Sequence, residues 1–419
     1  MRFLEIAWQA QLHREVYIAM LNSALRAWGS KRRFAERVGI SPQYLSYLCD
    51  PYNIRTPSVQ LAQKIADILP ISLEQRKSLL EHMLSANERR LQLNTFPRSG
   101  IHDCTVESYL VELRRMHQMA TFSGNAPLTK IQYGVIREIS ITLIKNLDPI
   151  ANPLAFVELC LLLSEVQCVL DRPDSALYYA KIARSVMESA DPSDFWRDRE
   201  RFESFQINAI LAEAVAYHNL KLFDNAYDCC LQAEATEAMK HQPKFWKPHL
   251  YRDKINALIG KPRFTLGEAE GLANRVRDIC TQRAGEFDPL LELLINRSLG
   301  QAYIQYGNLK KAHRLLQTLI DQMETTPHVG ALHKVLLLRT FASLLWKQNA
   351  LSDWKSFIKS ARDIATEAGL HHQIHEIEQE YGPETISALS EESQGTGYLA
   401  STNISLFTTE AHSPGSSGS

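Results

Sequence analysis

"LLINRSLGQAYIQYGNLKKAHRLLQTLI" (Leu293–Ile320) decides how the rest of this chain is read. Apolar residues recur at helical spacing on both sides of "YGN", so the stretch reads as two amphipathic helices joined by a short turn. Leu299 and Gly300 sit together in the first helix. Tyr303 follows three residues after the glycine and Ala312 twelve after it. Small residues at those offsets let two helices cross closely, and the aromatic ring fills the gap beside the crossing.

The same offsets recur on either side. "ILAEAVAYHNLKLFDNAYDCCLQAEA" carries Ala214, Tyr217, Ala226 and Ala233, and "LLLSEVQCVLDRPDSALYYAKIA" carries Ser164, Ala176 and Ala183. "TFASLLWKQNALSDWKSFIKSARDI" carries Phe341-Ala342 and Ala361, with Trp354 in place of the second helix's small residue. The pattern resembles the tetratricopeptide repeat, whose period is about 34 residues. Ala176 and Ala226 stand 50 apart, so the repeats are degenerate. "HDCTVESYLVELRRMHQMA" with "LTKIQYGVIREISITLIKNL", and the stretch around "GEAEGLANRVRDIC", are expected to add weaker hairpins. About five or six should fill 102–381. Stacked, they imply a right-handed superhelix with a concave face lined by each first helix.

Counted from the small residue, that face should hold Glu158 and Glu165, then Asn208, His218 and Asn219, then Arg297, Gln301 and Gln305, and last Arg339 and Lys347. Amides can pair with a peptide's backbone and arginine with a carboxylate. Asn208, His218, Asn219, Arg297, Gln301, Gln305, Arg339 and Lys347 are therefore candidate peptide-binding residues.

The front of the chain follows a different logic. In "FAERVGISPQYLSYL", Phe34, Ala35 and Val38 form an apolar stripe, and Gly39 follows where a left-handed residue is wanted. Ser41 is a natural N-cap, Pro42 takes the first helical position, and Ile40 can staple onto Leu45. Leu45 and Leu48 point inward, which leaves Gln43, Tyr44 and Tyr47 outside. Lys31, Arg32 and Arg33 open the preceding helix, where side chains and backbone N–H groups can meet phosphate, and Arg55 follows in the next loop. Two short helices joined by a tight turn form a helix-turn-helix.

With "RTPSVQLAQKIADIL" (Arg55–Leu69) closing it, this block resembles the XRE/Cro repressor family over roughly residues 15–70. That resemblance implies DNA binding through Lys31, Arg32, Arg33, Ser41, Gln43, Tyr44, Tyr47 and Arg55. Residues near Lys31 and Cys49 depart from the family pattern, so individual base contacts do not carry over. Charge agrees in sign: residues 1–95 carry a net +5 and the remainder a net −6.

Between the two blocks, "SLEQRKSLLEHMLSANERRLQL" opens with Ser72 and Gln75 at capping-box spacing and reads as a connecting helix. "NTFPRSG" (94–100) then breaks the pattern. The expected domains are a helix-turn-helix domain over 1–70, a connector over 71–101, a repeat domain over 102–381, and a disordered tail rich in Ser, Thr and Gly over 382–419.

Other chemistries find little support. The seven cysteines include no C-x-x-C pair, which suits a reducing cytoplasm better than a disulfide framework or a zinc site. The most apolar run, Leu154–Leu170, is interrupted by Glu158 and Glu165, and no membrane span or signal peptide is expected. His371 and His375 stand at i, i+4 without a third ligand, so no metal is expected. No phosphate-binding or nucleophile motif occurs, and neither a cofactor nor enzyme activity is expected.

A helix-turn-helix ahead of degenerate repeats resembles the RRNPP group of peptide-responsive regulators. The resemblance implies a cytoplasmic, homodimeric transcription regulator that binds an operator on double-stranded DNA and a short signalling peptide. The alternative is a repeat domain that docks a partner protein.

Overall fold

The computed structural model describes residues 2–50, 55–94, 103–122, 126–241, 243–281, 289–323, 325–326 and 329–382. Of the expected break at 94–100, Asn94 still belongs to a helix and residues 95–100 lie outside them, as does all of the tail beyond Gly382. Among the described residues the chain is all-helical, as the sequence predicts.

The front is built from α1 (Arg2–Trp28), α2 (Lys31–Val38), α3 (Pro42–Cys49), α4 (Val59–Ile68) and α5 (Leu73–Asn94). The hairpins that follow are α6 (Asp103–Phe122) with α7 (Ala126–Ile144), α8 (Pro153–Val169) with α9 (Pro173–Ser189), and α10 (Arg199–Asn219) with α11 (Phe223–Ala235). A short α12 (Glu237–His241) precedes the hairpin of α13 (Pro243–Gly260) and α14 (Leu266–Thr281). The last are α15 (Pro289–Tyr306) with α16 (Leu309–Gln322), and α17 (Ala331–Lys347) with α18 (Leu351–Ala368), followed by a lone α19 (His371–Tyr381).

Four hairpins share one turn. Asp171, Lys221, Gly307 and Asn349 all adopt positive φ, between 56° and 85°. Each lies seven residues after a small residue: Ser164, Ala214, Gly300 and Ala342. The residue after each donates its N–H back to Gln167, Tyr217, Tyr303 and Leu345 respectively, at 2.8–3.0 Å. That is a left-handed helix stop. It is adopted even where Asp, Lys or Asn bears a steric cost of about 1–2 kcal/mol. The small-residue crossings explain why the turn is worth holding. The Ser164 hydroxyl donates to the Ala176 carbonyl at 3.0 Å across α8 and α9. A Cβ added at Gly300 would meet the Leu316 side chain at 2.6 Å. Trp354, the exception, is buried and stacks on Tyr381 of α19 with centroids 5.3 Å apart.

The array does not present the open concave face that stacking alone implies. The last hairpin returns to the first: α18 packs on α7, α17 touches α6, and α19 lies against α8. At this seam Phe122 stacks on His333, and a Cβ at Gly330 would come within 2.0 Å of the Thr121 carbonyl oxygen.

The front domain is fastened by α1. Its second half, Tyr17, Ile18, Leu21, Ala24 and Leu25, packs with Phe34, Val38, Leu45, Leu48 and Ile65 in one core, which Leu79, Met83 and Ala86 of α5 complete. Its first half places Ala7 and Ala10 in the core of the array. Near the junction, the buried Arg14 lies 3.5 Å from Glu138, and Glu15 pairs with Lys130 at 2.5 Å, both across to α7. The capping box forms as spaced: Ser72 N–H donates to the Gln75 side chain at 3.0 Å, and Gln75 N–H donates to Ser72 Oγ at 3.2 Å.

If the seam holds the ring closed, Gly330→Ala should destabilise the protein by about 1–3 kcal/mol through overpacking. Gly271→Ala in α14, where a Cβ meets nothing within 4 Å, should be neutral or stabilising by up to about 1 kcal/mol. Denaturant unfolding of the two variants checks this, and equal effects would remove the seam from the account.

Candidate functional site: a central cavity and an exposed helix pair

Where the ends of the array meet, the inner faces surround a half-open cavity of about 570 Å³, within the range of ligand sites. It is lined mainly by the first helices of the hairpins, α6, α8, α10, α13, α15 and α17, together with α19; Tyr133 of α7 and Phe223 of α11 also reach it. Of the candidate peptide-binding residues, His218, Asn219, Arg297, Gln301, Gln305 and Arg339 all line it. Arg297, Gln301 and Gln305 stand one turn apart on a single face of α15.

Asn208 and Lys347 do not line the cavity. Asn208 lies ten residues before His218 on the same helix, about 15 Å along its axis. Lys347 is exposed at the end of α17, and its Nζ donates to the Ile304 carbonyl at 3.3 Å, closing the last turn of α15. Glu165 reaches the cavity but Glu158 does not: it is buried against Arg114 and Arg201, the latter at 2.8 Å.

The lining charges are mostly spent on each other. Arg252 holds Asp253 at 2.8 Å, and His117 holds Glu165 at 2.9 Å. Arg339 reaches Glu376 and Glu380, each at 3.3 Å, and bonds Gln373 at 2.6 Å; Lys221 also pairs with Glu376. Burial opposes ionisation of Glu376, but the bond from Lys221 and the charge of Arg339 outweigh it, and its pKa falls to about 2. Burial likewise opposes the His117 imidazolium; the Glu165 carboxylate outweighs it and raises the pKa. His218 goes the other way: burial, with Lys221 and Arg297 nearby, lowers it to about 4, so it is a neutral imidazole at pH 7.

Sequence reasoning missed Arg252, Asp253 and Asn256, and all of the α19 set. The helix α13 contains Pro248 and lacks the small–aromatic offsets, so its register could not be read. The helix α19 has no partner helix to define a repeat. Its one available signal was the polar stripe Gln373, Glu376 and Glu380 at helical spacing. In the "HHQIH" segment, His372 and His375 approach the Asp171 carboxylate at 2.7 and 3.2 Å. No group of metal-ligating residues occurs among the described residues.

The front site is laid out as its capping residues require. Ser30 caps α2 and Ser41 caps α3, its hydroxyl accepting from Tyr44 N–H at 3.0 Å. Gly39 turns at φ 80°. Gln43 is exposed and donates to the Tyr47 hydroxyl at 2.7 Å, and the Arg55 guanidinium lies 5.1 Å from the Tyr47 ring centroid. Gln43, Tyr47 and Arg55 therefore form one cluster. Tyr44 is half-buried against the front core. Lys31, Arg32 and Arg33 are exposed at the start of α2, with Arg32 paired to Glu36 at 3.2 Å. Cys49 is buried, and that burial raises its thiol pKa to about 11.

No family model matches the chain, and no curated protein matches it. Among solved structures it is similar to a Rap protein complexed with competence and sporulation factor. Identity is 10%, with 93% of this chain and 99% of that chain covered and a TM-score of 0.41. A likeness this faint carries neither a fold nor a ligand across to this chain. No helix among the described residues is long and apolar enough to cross a membrane.

The lowered Glu376 pKa fixes a sign. A carboxyl group whose folded pKa lies below its ordinary 4.5 stabilises the fold above that pH and loses the contribution as pH falls towards about 2. Glu376→Gln should therefore melt below wild type at neutral pH, and the gap should close as pH drops through that window. A gap that persists unchanged under acid would show that the ion pairs are not its source.

Proposed function

We propose that this protein is a DNA-binding regulator whose central cavity takes a short peptide and whose occupancy adjusts operator binding. One observation carries the reading: a single turn touches both sites. At the turn between α8 and α9, Asp171 holds His372 and His375 of α19, which forms part of the cavity wall. The next residue, Arg172, pairs with Asp50 at 2.6 Å. Asp50 is the residue that ends α3, the helix bearing Gln43 and Tyr47.

A ligand that prefers one placement of α19 would bias that turn, and through it the helix pair. The helix α1, shared between the two cores, gives the motion a stiff lever. The amides and charges of the cavity suit a peptide backbone with its polar ends. A cavity of about 570 Å³ suits a short ligand better than a folded partner protein. Exposed Lys31, Arg32 and Arg33 would meet phosphate while Gln43 and Tyr47 face base edges. We read the protein as cytoplasmic and as a homodimer, which would place two helix pairs about 34 Å apart on an operator. The reading assigns it no catalytic step and no cofactor.

Selection from random duplex DNA should yield an operator, and Gln43→Ala should weaken the specific complex by about 1–3 kcal/mol. Lys31→Ala should weaken operator and random duplex alike and lower the salt slope by about one. Enrichment of no sequence would sink the DNA half of the reading. Arg172→Ala should keep both binding activities but bring the ratio of operator affinities with and without peptide towards one. An unchanged ratio would remove the turn from the coupling route. Stoichiometric capture of a protein partner, with no response to peptides, would favour docking instead.

A further inference from the structure

We propose that Arg297 is the anion-binding centre of the cavity, and that the ligand engages it with a carboxylate. The inference rests on the peptide reading above and says which part of the peptide the cavity grips.

Arg297 projects from the middle of α15 and is partly exposed, onto the cavity. Its Nε is buried with no hydrogen-bond partner. The carboxylates that share the cavity are engaged elsewhere: Asp253 with Arg252, Glu165 with His117, and Glu376 and Glu380 with Arg339. Arg297 is the lining cation left over. Burial, together with the nearby charges of Arg339 and Arg252, lowers its pKa to about 10, which still leaves it charged at neutral pH.

A half-buried guanidinium that feels the charges of two others, and has no anion of its own among the described residues, favours a negatively charged group. Its planar fork suits a carboxylate bound through both oxygens. Gln301 and Gln305 continue along the same face of α15 and can pair with peptide groups next to that carboxylate. The carboxylate can be a free C-terminus or an acidic side chain.

The arrangement also has a consequence without ligand. An unpaired cation with its Nε buried costs folding stability, so neutralising it should raise stability.

The probe is a random pentapeptide library made in two forms, free acid and C-terminal amide. It is presented to the full-length chain, and retained peptides are read by mass spectrometry. Retention of free acids over amides regardless of side chain assigns the C-terminus. Retention in both forms of only those peptides that contain Asp or Glu assigns the side chain. In either case Arg297→Gln should weaken retained peptides about tenfold or more, as expected for a lost charge-assisted bond, and Arg297→Lys should restore part of that. Equal retention of amidated peptides lacking Asp and Glu would overturn this inference while leaving the peptide reading intact. Retention of no peptide by wild type would overturn the peptide reading itself. A ligand-free check is independent of both: Arg297→Met should melt about 2 °C above wild type. A lower melting temperature would make Arg297 a structural partner and overturn its role as the unpaired cation.

Discussion

The close crossing of two helices at a pair of small residues is the constraint on which this structure depends. Ser164 and Ala176 meet buried, joined by a hydrogen bond, and at Gly300 even a Cβ would run into the Leu316 side chain. The turn that follows must then reverse the chain within a few residues, and in four hairpins it does so through one left-handed residue. Repeating that unit stacks the hairpins with their first helices inward. Because the last hairpin meets the first, those inward faces surround a half-open cavity.

Partial burial changes what the inward charges can do. On an open surface Arg339 and Glu376 would be weakly coupled and screened. Largely buried as they are, each must find a partner or bear the cost of desolvation. Both do, and the pairing ties α19 to the rest of the wall. The same helix ends on Tyr381, seated on Trp354, so aromatic packing and ion pairs hold it from two sides. Through Asp171 and Arg172, the wall meets the end of α3.

Much of the local structure was legible along the chain. The N-cap serines, the Gly39 stop, the capping box at Ser72 and Gln75, and the inward pair Leu45 and Leu48 depend on interactions a few residues apart. The repeat offsets likewise placed His218, Asn219, Arg297, Gln301, Gln305 and Arg339 on one inner surface, because a helix has a fixed period. The same counting failed for Asn208 and Lys347. Position along the helix axis, rather than angle about it, decides which inward residues reach the middle of the ring.

The sequence by itself therefore determined the helices, their stops, the small-residue crossings and the polar character of the inner faces, since each follows from spacing within about two turns. Only the tertiary structure decided that the array closes, that α1 belongs to two cores, and that α19 completes the cavity. It also decided which charges pair and which one is left. Those outcomes join residues such as Asp50 and Arg172, or Asp171 and His372, that are far apart in the chain. No periodicity links them; they meet only after the stack of hairpins has brought its two ends together.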